Sequence, residues 1–290
     1  MPKVSVVLNV YKRAEHFEMQ IESLLKQSIV PFEILVWENG NERVPDNYRD
    51  KLTVARAETN FGVWARFSYA LNAKGDYVLV LDDDTVPGRR WIENCLNTMF
   101  LSPGLLGTRG LLFATKHSYA GYSEVGVYAP NETIQRADIV GHAWFFKREW
   151  LGAFWGEYAN RFPEDLSGED IHFSYAIQKV MGLNTFVPPH PVDDQELWGS
   201  NPSIARTLGA DNAAISSATG ALGKFERALK HYVALDFQLA PKADSSATSK
   251  ASFNPLLIYL MGRMPLATSK LSGSRFGQLL RRFFLGDKKW

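Results

Sequence analysis

The chain has 290 residues, of which 46% are hydrophobic and 22% are charged, a balance that excludes a wholly disordered or fibrous protein. Its formal net charge of +1 argues against a dedicated nucleic-acid binder, so we expect no nucleic-acid partner. The single cysteine excludes an internal disulfide framework and is typical of a reducing compartment.

The first ninety residues alternate between two kinds of apolar pattern. Runs rich in β-branched residues at 4–10, 32–39, 52–57 and 77–85 predict strands. Between them, Phe17, Ile21, Leu24 and Leu25 share one face of a predicted amphipathic helix, and a second helix is predicted at 61–73. This alternation predicts an α/β fold, in which a mostly parallel, Rossmann-like central sheet is flanked by helices. Sheets of this kind bind ligands at the carboxyl ends of their strands.

Beyond residue 90 the pattern continues with longer loops. Helices are predicted at 90–101 and 169–182, and a strand followed by a helix is predicted at 138–154. Glycine and tyrosine accumulate over residues 104–138, which indicates short strands and loops that cover one face of the sheet.

The C-terminal part has a different composition. We expect one α/β domain over residues 1–235, a Ser/Ala-rich linker over 236–253 and a basic amphipathic tail over 254–290. Residues 241–290 hold nine Lys and Arg but two Asp, leaving 23 basic and 29 acidic residues before them. The apolar stripe of the tail consists of Phe276, Leu279, Leu280, Phe283 and Phe284.

A helix with such a stripe either lies on an anionic membrane or packs on the domain, and the sequence leaves both interpretations open. We expect neither a secretory signal nor a membrane span, because no apolar stretch reaches the ~18 residues that a span needs. The sequence therefore predicts a cytoplasmic protein, attached peripherally to the inner face of a membrane if the first interpretation holds.

Three consecutive aspartates, Asp82, Asp83 and Asp84, follow the most apolar predicted strand. Like charges this close repel each other unless a cation or hydrogen-bond donors offset them. Carboxylate oxygens suit Mg²⁺ or Mn²⁺, which proteins often share with substrate phosphates. The structural alternative is a polar turn in which Asp84 or Thr85 caps a helix. The run also fits the D-x-D-x-[TV] pattern of haloacid-dehalogenase-like phosphatases, where Asp82 would be the nucleophile.

A series of segments resembles nucleotide-sugar-dependent glycosyltransferases of the A-type fold, and the exostosin-like family 64 in particular. The resemblance covers roughly residues 3 to 190. It is carried by SVVLNVYKR (5–13), LVWENG (35–40), TNFGVWAR (59–66), VLVLDDDT (78–85), RGLLF (109–113), DIVGHAWFFKREWLGAF (138–154) and GEDIHFSYAIQ (168–178). The acidic pair in the last segment is also similar to that of the large inverting family 2. Both resemblances imply the A-type fold and transfer of a hexose or N-acetylhexosamine from a UDP-sugar.

The resemblance also implies a donor pocket at the strand ends and on the helix before the aspartates. The residues concerned are Asn9, Tyr11, Arg13, Glu38, Asn39, Asn60, Arg66, Asp82 and Asp83. Tyr11 and Arg13 have helix capping as their structural alternative, and Arg66 has an ion pair on its own helix.

The same resemblance implies that Mn²⁺ or Mg²⁺ is held by Asp82 and Asp84. A late histidine often completes the metal site of A-type transferases, and His190 follows the last predicted strand. His142 lies within an apolar strand, so we expect it in the core.

Glu169 and Asp170 begin a predicted helix. Acidic residues are favoured there by the helix dipole, which is the structural alternative to a catalytic role. We predict that this pair is catalytic and that Asp170 is its principal member. In an inverting enzyme the carboxylate would deprotonate the acceptor hydroxyl. In a retaining, exostosin-like enzyme, which we favour at this stage, it would face the sugar or position the acceptor.

The acceptor is expected to be a glycan or a glycolipid. Sugars stack their apolar faces on aromatic rings, so we place Trp144 and Trp198, together with Arg109, on the acceptor side. A nucleotide-sugar-binding module without turnover is the alternative outside the enzymes.

Overall fold

The computed structural model of the protein describes residues 2–163, 168–208 and 220–241. The strands are β1 (Val4–Val10), β2 (Glu33–Asn39), β3 (Thr53–Ala57), β4 (Tyr77–Leu81), β5 (Gly104–Leu106), β6 (Arg109–Leu112), β7 (Ser123–Gly126), β8 (Gln135–Ala137), β9 (Ile139–Gly141), β10 (Ala143–Lys147) and β11 (Asn184–Val187). The α-helices are α1 (Phe17–Leu25), α2 (Trp64–Tyr69), α3 (Trp91–Leu101), α4 (Leu151–Gly156), α5 (Glu169–Met181), α6 (Pro202–Leu208) and α7 (Ala221–Ala234). Short 3₁₀ helices lie at Ala14–His16, Asp46–Lys51, Ala70–Asn72, Arg148–Trp150, Tyr158–Asn160 and Gln195–Leu197.

Within the described ranges, eight strands form the main sheet in the order β3-β2-β1-β4-β10-β5-β11-β8. The strands β3, β2, β1 and β4 run parallel to one another, and β11 is parallel to β5. The strand β10 is antiparallel to both β4 and β5, and β8 is antiparallel to β11. The predicted α/β fold with a mostly parallel sheet is thus confirmed.

The centre of the main sheet is covered on both faces. Successive residues of β1, among them Val6, Val7 and Leu8, are fully buried, as expected when side chains on both faces of a strand contact other elements. On α1, Phe17 and Ile21 bury their side chains in the same core. The continuous apolar runs in the sequence therefore correspond to the central strands.

A second, three-stranded sheet, in the order β7-β6-β9, packs beside the main one. Gly110 of β6 lies so close to the main sheet that an added Cβ atom would be 2.5 Å from Val187 of β11 and 2.8 Å from Ala137 of β8. A glycine is required here because a side chain would push the two sheets apart. A second hydrophobic cluster joins this sheet to α5 and α7, and it includes Ile171 and Tyr232.

Among the predicted boundaries that differ from the observed ones are the end of one strand and the end of the α/β domain. The strand expected at 77–85 ends at Leu81, because the chain turns there and the Thr85 amide donates to the Asp82 carbonyl at 3.1 Å. Packing also continues past residue 235, since Phe237 is buried and the Ala240 amide donates to the Asp138 carboxylate. The rest of the predicted linker and the predicted tail lie outside the described residues.

In the part of the chain that the structure describes, no helix combines the length and apolar character needed to cross a membrane. The membrane interpretation of the sequence depends on the tail, which lies outside that part.

Candidate active site

The antiparallel pairing of β10 with β4 brings a histidine beside the aspartates. Ala143 lies opposite Leu81 in this pair, so the residue before β10 meets the residue after β4. The Asp82 amide accordingly donates to the His142 carbonyl at 3.0 Å. Two segments that are 60 residues apart in sequence thus meet at the carboxyl end of β4.

Asp82, Asp84 and His142 form a cluster in which one ligand atom from each residue lies within 4.8 Å of the others. His142 has a φ of 67°, in the left-handed region that non-glycine residues seldom adopt. Such backbone strain concentrates at functional sites. Two carboxylates and an imidazole can ligate a divalent cation, so the chemistry and spacing of this cluster fit Mn²⁺ or Mg²⁺.

Arg13 offsets part of the negative charge of the aspartates. Its Nη1 donates to Asp83 Oδ1 at 2.7 Å and to Asp84 Oδ2 at 3.3 Å. Burial raises the pKa of Asp83 to about 7 despite the opposing effect of Arg13, and burial together with the charge of Asp82 raises the pKa of Asp84. Arg13 therefore does not fully offset the burial of these two carboxyl groups and the charge of their neighbours.

Arg66 joins the aspartates to the acidic pair on α5. Its Nη1 donates to Asp82 Oδ1, its Nη2 donates to Glu169 Oε1 at 2.7 Å, and its Cζ lies 4.5 Å from the centre of the Trp144 ring. Burial would lower the pKa of Arg66, but the two carboxylates outweigh it and raise this pKa. The arginine therefore stays charged and links β4 to α5.

The start of α5 holds Asp170 beside this network. Gly168, with a φ of 83°, makes the turn into the helix, and the Ile171 amide donates to Asp170 Oδ1 at 2.7 Å. Burial raises the pKa of Glu169 to about 7, although Arg66 lowers it, and burial also raises the pKa of Asp170. Asp170 remains partly exposed while Glu169 is buried, so Asp170 presents the accessible carboxylate of the pair.

Polar groups also lie at the carboxyl ends of β1 and β2, on the other side of β4 from His142. Asn39 Nδ2 donates to Asn60 Oδ1 at 2.8 Å, and the Phe61 amide donates to Asn39 Oδ1 at 2.8 Å. The Tyr11 ring lies 3.8 Å from the position that a Cβ atom on Gly40 would occupy. Tyr11 is half-buried and Asn60 is exposed, so both can contact a ligand.

Residues 5–154 match the family model described as glycosyl transferase family 2. The chain belongs to this family. A relative from Haloferax volcanii, named glucosyl-dolichyl phosphate glucuronosyltransferase, is 32% identical over 117 residues, which make up 37% of this chain and 37% of the relative. The crystal structure of S. aureus TarS 1–349 in complex with UDP has a TM-score of 0.45 and 18% identity, covering 65% of this chain and 58% of that chain.

Membership of family 2 decides between two interpretations of the sequence. The matched region contains the aspartates at 82–84, so the phosphatase interpretation is not retained. Membership of family 2 agrees with the second of the two resemblances. The resemblance to family 64 stays a prediction. Helix α5, with Glu169 and Asp170, lies beyond the matched region.

The structure does not place His190 with the aspartates. His190 is fully buried, and its Nε2 lies 2.8 Å from Thr108 Oγ1 while its Nδ1 lies 2.7 Å from the Pro188 carbonyl. Burial lowers the pKa of His190 to about 4. Because both ring nitrogens have protein partners, the prediction of His190 as a metal ligand is wrong, and His142 occupies the position expected of it.

Two aromatic residues of the predicted acceptor side are also buried. The Trp144 indole N–H donates to the Val140 carbonyl at 2.9 Å, and its ring packs beneath Arg66. The Trp198 indole N–H donates to the Pro191 carbonyl at 2.7 Å. Neither ring can stack on a sugar, so both predictions are corrected, whereas Arg109 is partly exposed on β6.

Glu38 and Asn39, two of the predicted donor residues, are buried, and their side chains hold loops at the strand ends. Glu38 accepts hydrogen bonds from the Val44 amide at 2.9 Å and from Arg49 at 3.1 Å, and Asn39 orients Asn60. Asn9, at the end of β1, has a buried Oδ1 that lacks a hydrogen-bond partner among the described residues.

Sequence reasoning missed two residues of the site. Gln20 donates from Nε2 to the carbonyls of Asp82 at 2.6 Å and of Thr85 at 2.9 Å, which fixes the turn after β4. His142 follows Gly141 between two short strands, and this break in the apolar pattern was the available signal. A glutamine on an amphipathic helix gives no comparable signal.

Proposed function

We propose that the protein is a metal-dependent glycosyltransferase that moves a hexose or N-acetylhexosamine from a UDP-sugar to a glycan or lipid-linked acceptor. The observation that carries this proposal is the connection from the Asp82, Asp84 and His142 cluster, through Arg66 and Glu169, to Asp170. A cation site and a partly exposed carboxylate of raised pKa are thereby held on one rigid network. Membership of family 2 supports the same activity.

The donor diphosphate is assigned to the carboxyl end of β4, beside the three aspartates. Asp82, Asp84 and His142 would hold the divalent ion between the protein and the diphosphate. When bound, the ion supplies positive charge that stabilises the departing diphosphate. Tyr11 and Asn60 are accessible to the nucleoside part of the donor on the side of β1 and β2.

Asp170 is assigned the role of general base. A carboxylate whose pKa is raised by burial takes up a proton more readily near neutral pH than an ordinary aspartate does. The acceptor oxygen forms a bond to the anomeric carbon while the bond from that carbon to the diphosphate oxygen breaks. The leaving diphosphate keeps the electron pair, and the acceptor proton moves to Asp170.

We propose inversion at the anomeric carbon, in place of the retaining outcome favoured from the sequence. Family 2, to which the chain belongs, is the inverting family of the two that the sequence resembles, and a single base on the acceptor side is what direct displacement needs. The name of the Haloferax volcanii relative supports a lipid-linked sugar as the acceptor.

The test is to incubate the protein with a panel of UDP-sugars, including UDP-glucuronic acid, with Mn²⁺ or with EDTA, and to measure UDP release. We expect slow hydrolysis of one donor in Mn²⁺ and almost none in EDTA. UDP binding without any UDP release would instead support the non-catalytic binding module. Equal UDP release in Mn²⁺ and EDTA would contradict the metal site.

A further inference from the structure

A polar and aromatic surface lies on the small sheet, and no part of the donor site described above uses it. We define the Arg109 patch as Arg109, Tyr122, Glu124 and Tyr128. Arg109 Nε donates to Glu124 Oε1 at 3.0 Å, and Arg109 Nη2 donates to the Tyr122 hydroxyl at 3.4 Å. The Arg109 guanidinium carbon lies 6.0 Å from the centre of the Tyr122 ring and 5.4 Å from that of Tyr128.

One side of the Arg109 patch borders the metal cluster. Arg109 pairs with Gly141 across β6 and β9. His142 directly follows Gly141 in the chain, so it lies beside the patch. The ring of Tyr128 lies 6.2 Å from the ring of His142. A ligand on the patch would therefore be a direct neighbour of the cation site.

The other side of the patch leads to the catalytic helix. The Tyr122 ring lies 5.9 Å from the ring of Tyr119, which is buried against Phe113 and Phe225. Tyr119 belongs to the same hydrophobic cluster as Ile171 of α5, the residue that directly follows Asp170. The patch thus extends from the cation site toward the start of α5, where the proposed base lies.

The charge of the patch is balanced internally. Arg109 and Glu124 form an ion pair with both side chains about one-quarter exposed, so the pair offers hydrogen-bond donors and acceptors without a net charge. Tyr122 is 37% exposed and presents an aromatic surface beside the pair. Neutral sugars combine hydroxyl groups with apolar C–H faces, and a ring next to a few fixed polar groups complements both.

We propose that the Arg109 patch is the acceptor subsite and that it binds a neutral sugar ring stacked on Tyr122, with hydroxyl groups bonded to Arg109 and Glu124. This inference rests on the proposed function, because the subsite needs a donor site beside it. An anionic sugar is disfavoured, since Glu124 already pairs with the only guanidinium of the patch.

The experiment records saturation-transfer NMR of four probes with the full chain, which is loaded with UDP and diamagnetic Mg²⁺. The probes are the methyl β-glycosides of glucose, galactose, N-acetylglucosamine and glucuronic acid. We expect at least one neutral glycoside to bind and the glucuronide to bind more weakly. Tyr122→Ala should weaken binding of the neutral glycoside about tenfold.

Tyr158→Ala is the matched control. Tyr158 is also 37% exposed and also has an arginine near its ring, with Arg161 at 4.1 Å, but its other ring contacts are to Trp64 and Trp155. Binding should be unchanged in this variant. A second variant, Glu124→Gln, frees the charge of Arg109 and should shift the preference toward the glucuronide.

The inference is overturned if no neutral glycoside binds the wild-type protein, if the glucuronide binds best, or if Tyr122→Ala and Tyr158→Ala behave alike. UDP release in the absence of acceptor keeps this outcome separate from the proposed function. Wild-type and Tyr122→Ala proteins that hydrolyse the donor equally, with no effect on glycoside binding, would leave the transferase intact and remove the subsite. Absence of any UDP binding or release would remove the transferase itself.

Discussion

Arg66 and Glu169 are 103 residues apart in sequence, and the Arg66 guanidinium donates to the Glu169 carboxylate at 2.7 Å in the buried centre of the site. The pair fixes the start of α5 against the end of β4, because the same guanidinium also binds Asp82. The position of Asp170 relative to the cluster of Asp82, Asp84 and His142 therefore depends on an ion pair between two helices.

We expect Arg66→Gln to lower the free energy of unfolding by about 3 kcal/mol, because removal of one partner leaves buried carboxylates without their countercharge. Lys230→Gln is the control, since Lys230 pairs with Glu226 on an exposed helix face and should cost under about 0.5 kcal/mol. Urea denaturation of both variants checks this. Similar losses in the two would mean that the buried network contributes no more than a surface pair.

We expect His142→Asn to weaken Mn²⁺ binding roughly tenfold or more in the presence of UDP, because the cluster loses its imidazole ligand. Asparagine tolerates the left-handed backbone conformation found at this position, so the fold should be retained. His117→Asn, at an exposed loop position, is the control. Calorimetric titration with Mn²⁺ measures the effect, and unchanged affinity in His142→Asn would assign the cation to the aspartates alone.

We expect Asp170→Asn to lower turnover by about 10²-fold or more while leaving UDP binding intact, because the amide cannot accept the proton of the acceptor. Asp193→Asn, on an exposed segment, should behave as the wild type. Rates of UDP release and UDP affinities are measured in parallel. Near-normal turnover in Asp170→Asn would reduce the acidic pair to helix capping.

Acid should destabilise the protein through two buried histidines. Burial lowers the pKa values of His172 and His190 to about 4 from 6.5, so each stays neutral in the folded state while the unfolded chain takes up protons below pH 6.5. Their contribution to stability is full above that pH and is lost as the pH falls toward 4. Each should cost about 2 kcal/mol between pH 7 and pH 5.

The variant that tests this pH dependence is His190→Gln, compared with His117→Gln at an exposed position. Denaturation at pH 7 and at pH 5 should give a smaller difference for His190→Gln than for the wild type, whatever its absolute stability. An identical pH difference in both variants would show that burial of His190 does not contribute.

Deletion of residues 271–290 should leave UDP release intact and reduce association with anionic vesicles. The segment carries five Lys and Arg and one Asp, and each basic residue near an anionic surface contributes ~1 kcal/mol. Vesicle sedimentation at low and high salt measures this, and the bound fraction of the full chain should fall at high salt. Equal sedimentation of the truncated protein would contradict the membrane interpretation of the tail.

The sequence by itself determined the sheet and the position of the aspartates at the carboxyl end of one of its strands. Apolar runs such as 4–10 and 77–81 are buried on both faces, and burial of this kind leaves a local, periodic signal in the sequence. The acidic pair at 169–170 follows from the same reading, because it marks the start of a helix whose apolar positions are regular.

Only the tertiary structure decided which side chains meet. His142 meets the aspartates because β10 runs antiparallel to β4. His190 is held elsewhere by a hydrogen bond to Thr108, which is 82 residues away in sequence. Trp144, predicted to stack on the acceptor, instead packs against the guanidinium of Arg66. Contacts of this kind depend on strand direction and register, which result from packing across the whole domain and leave no periodic pattern in any one segment.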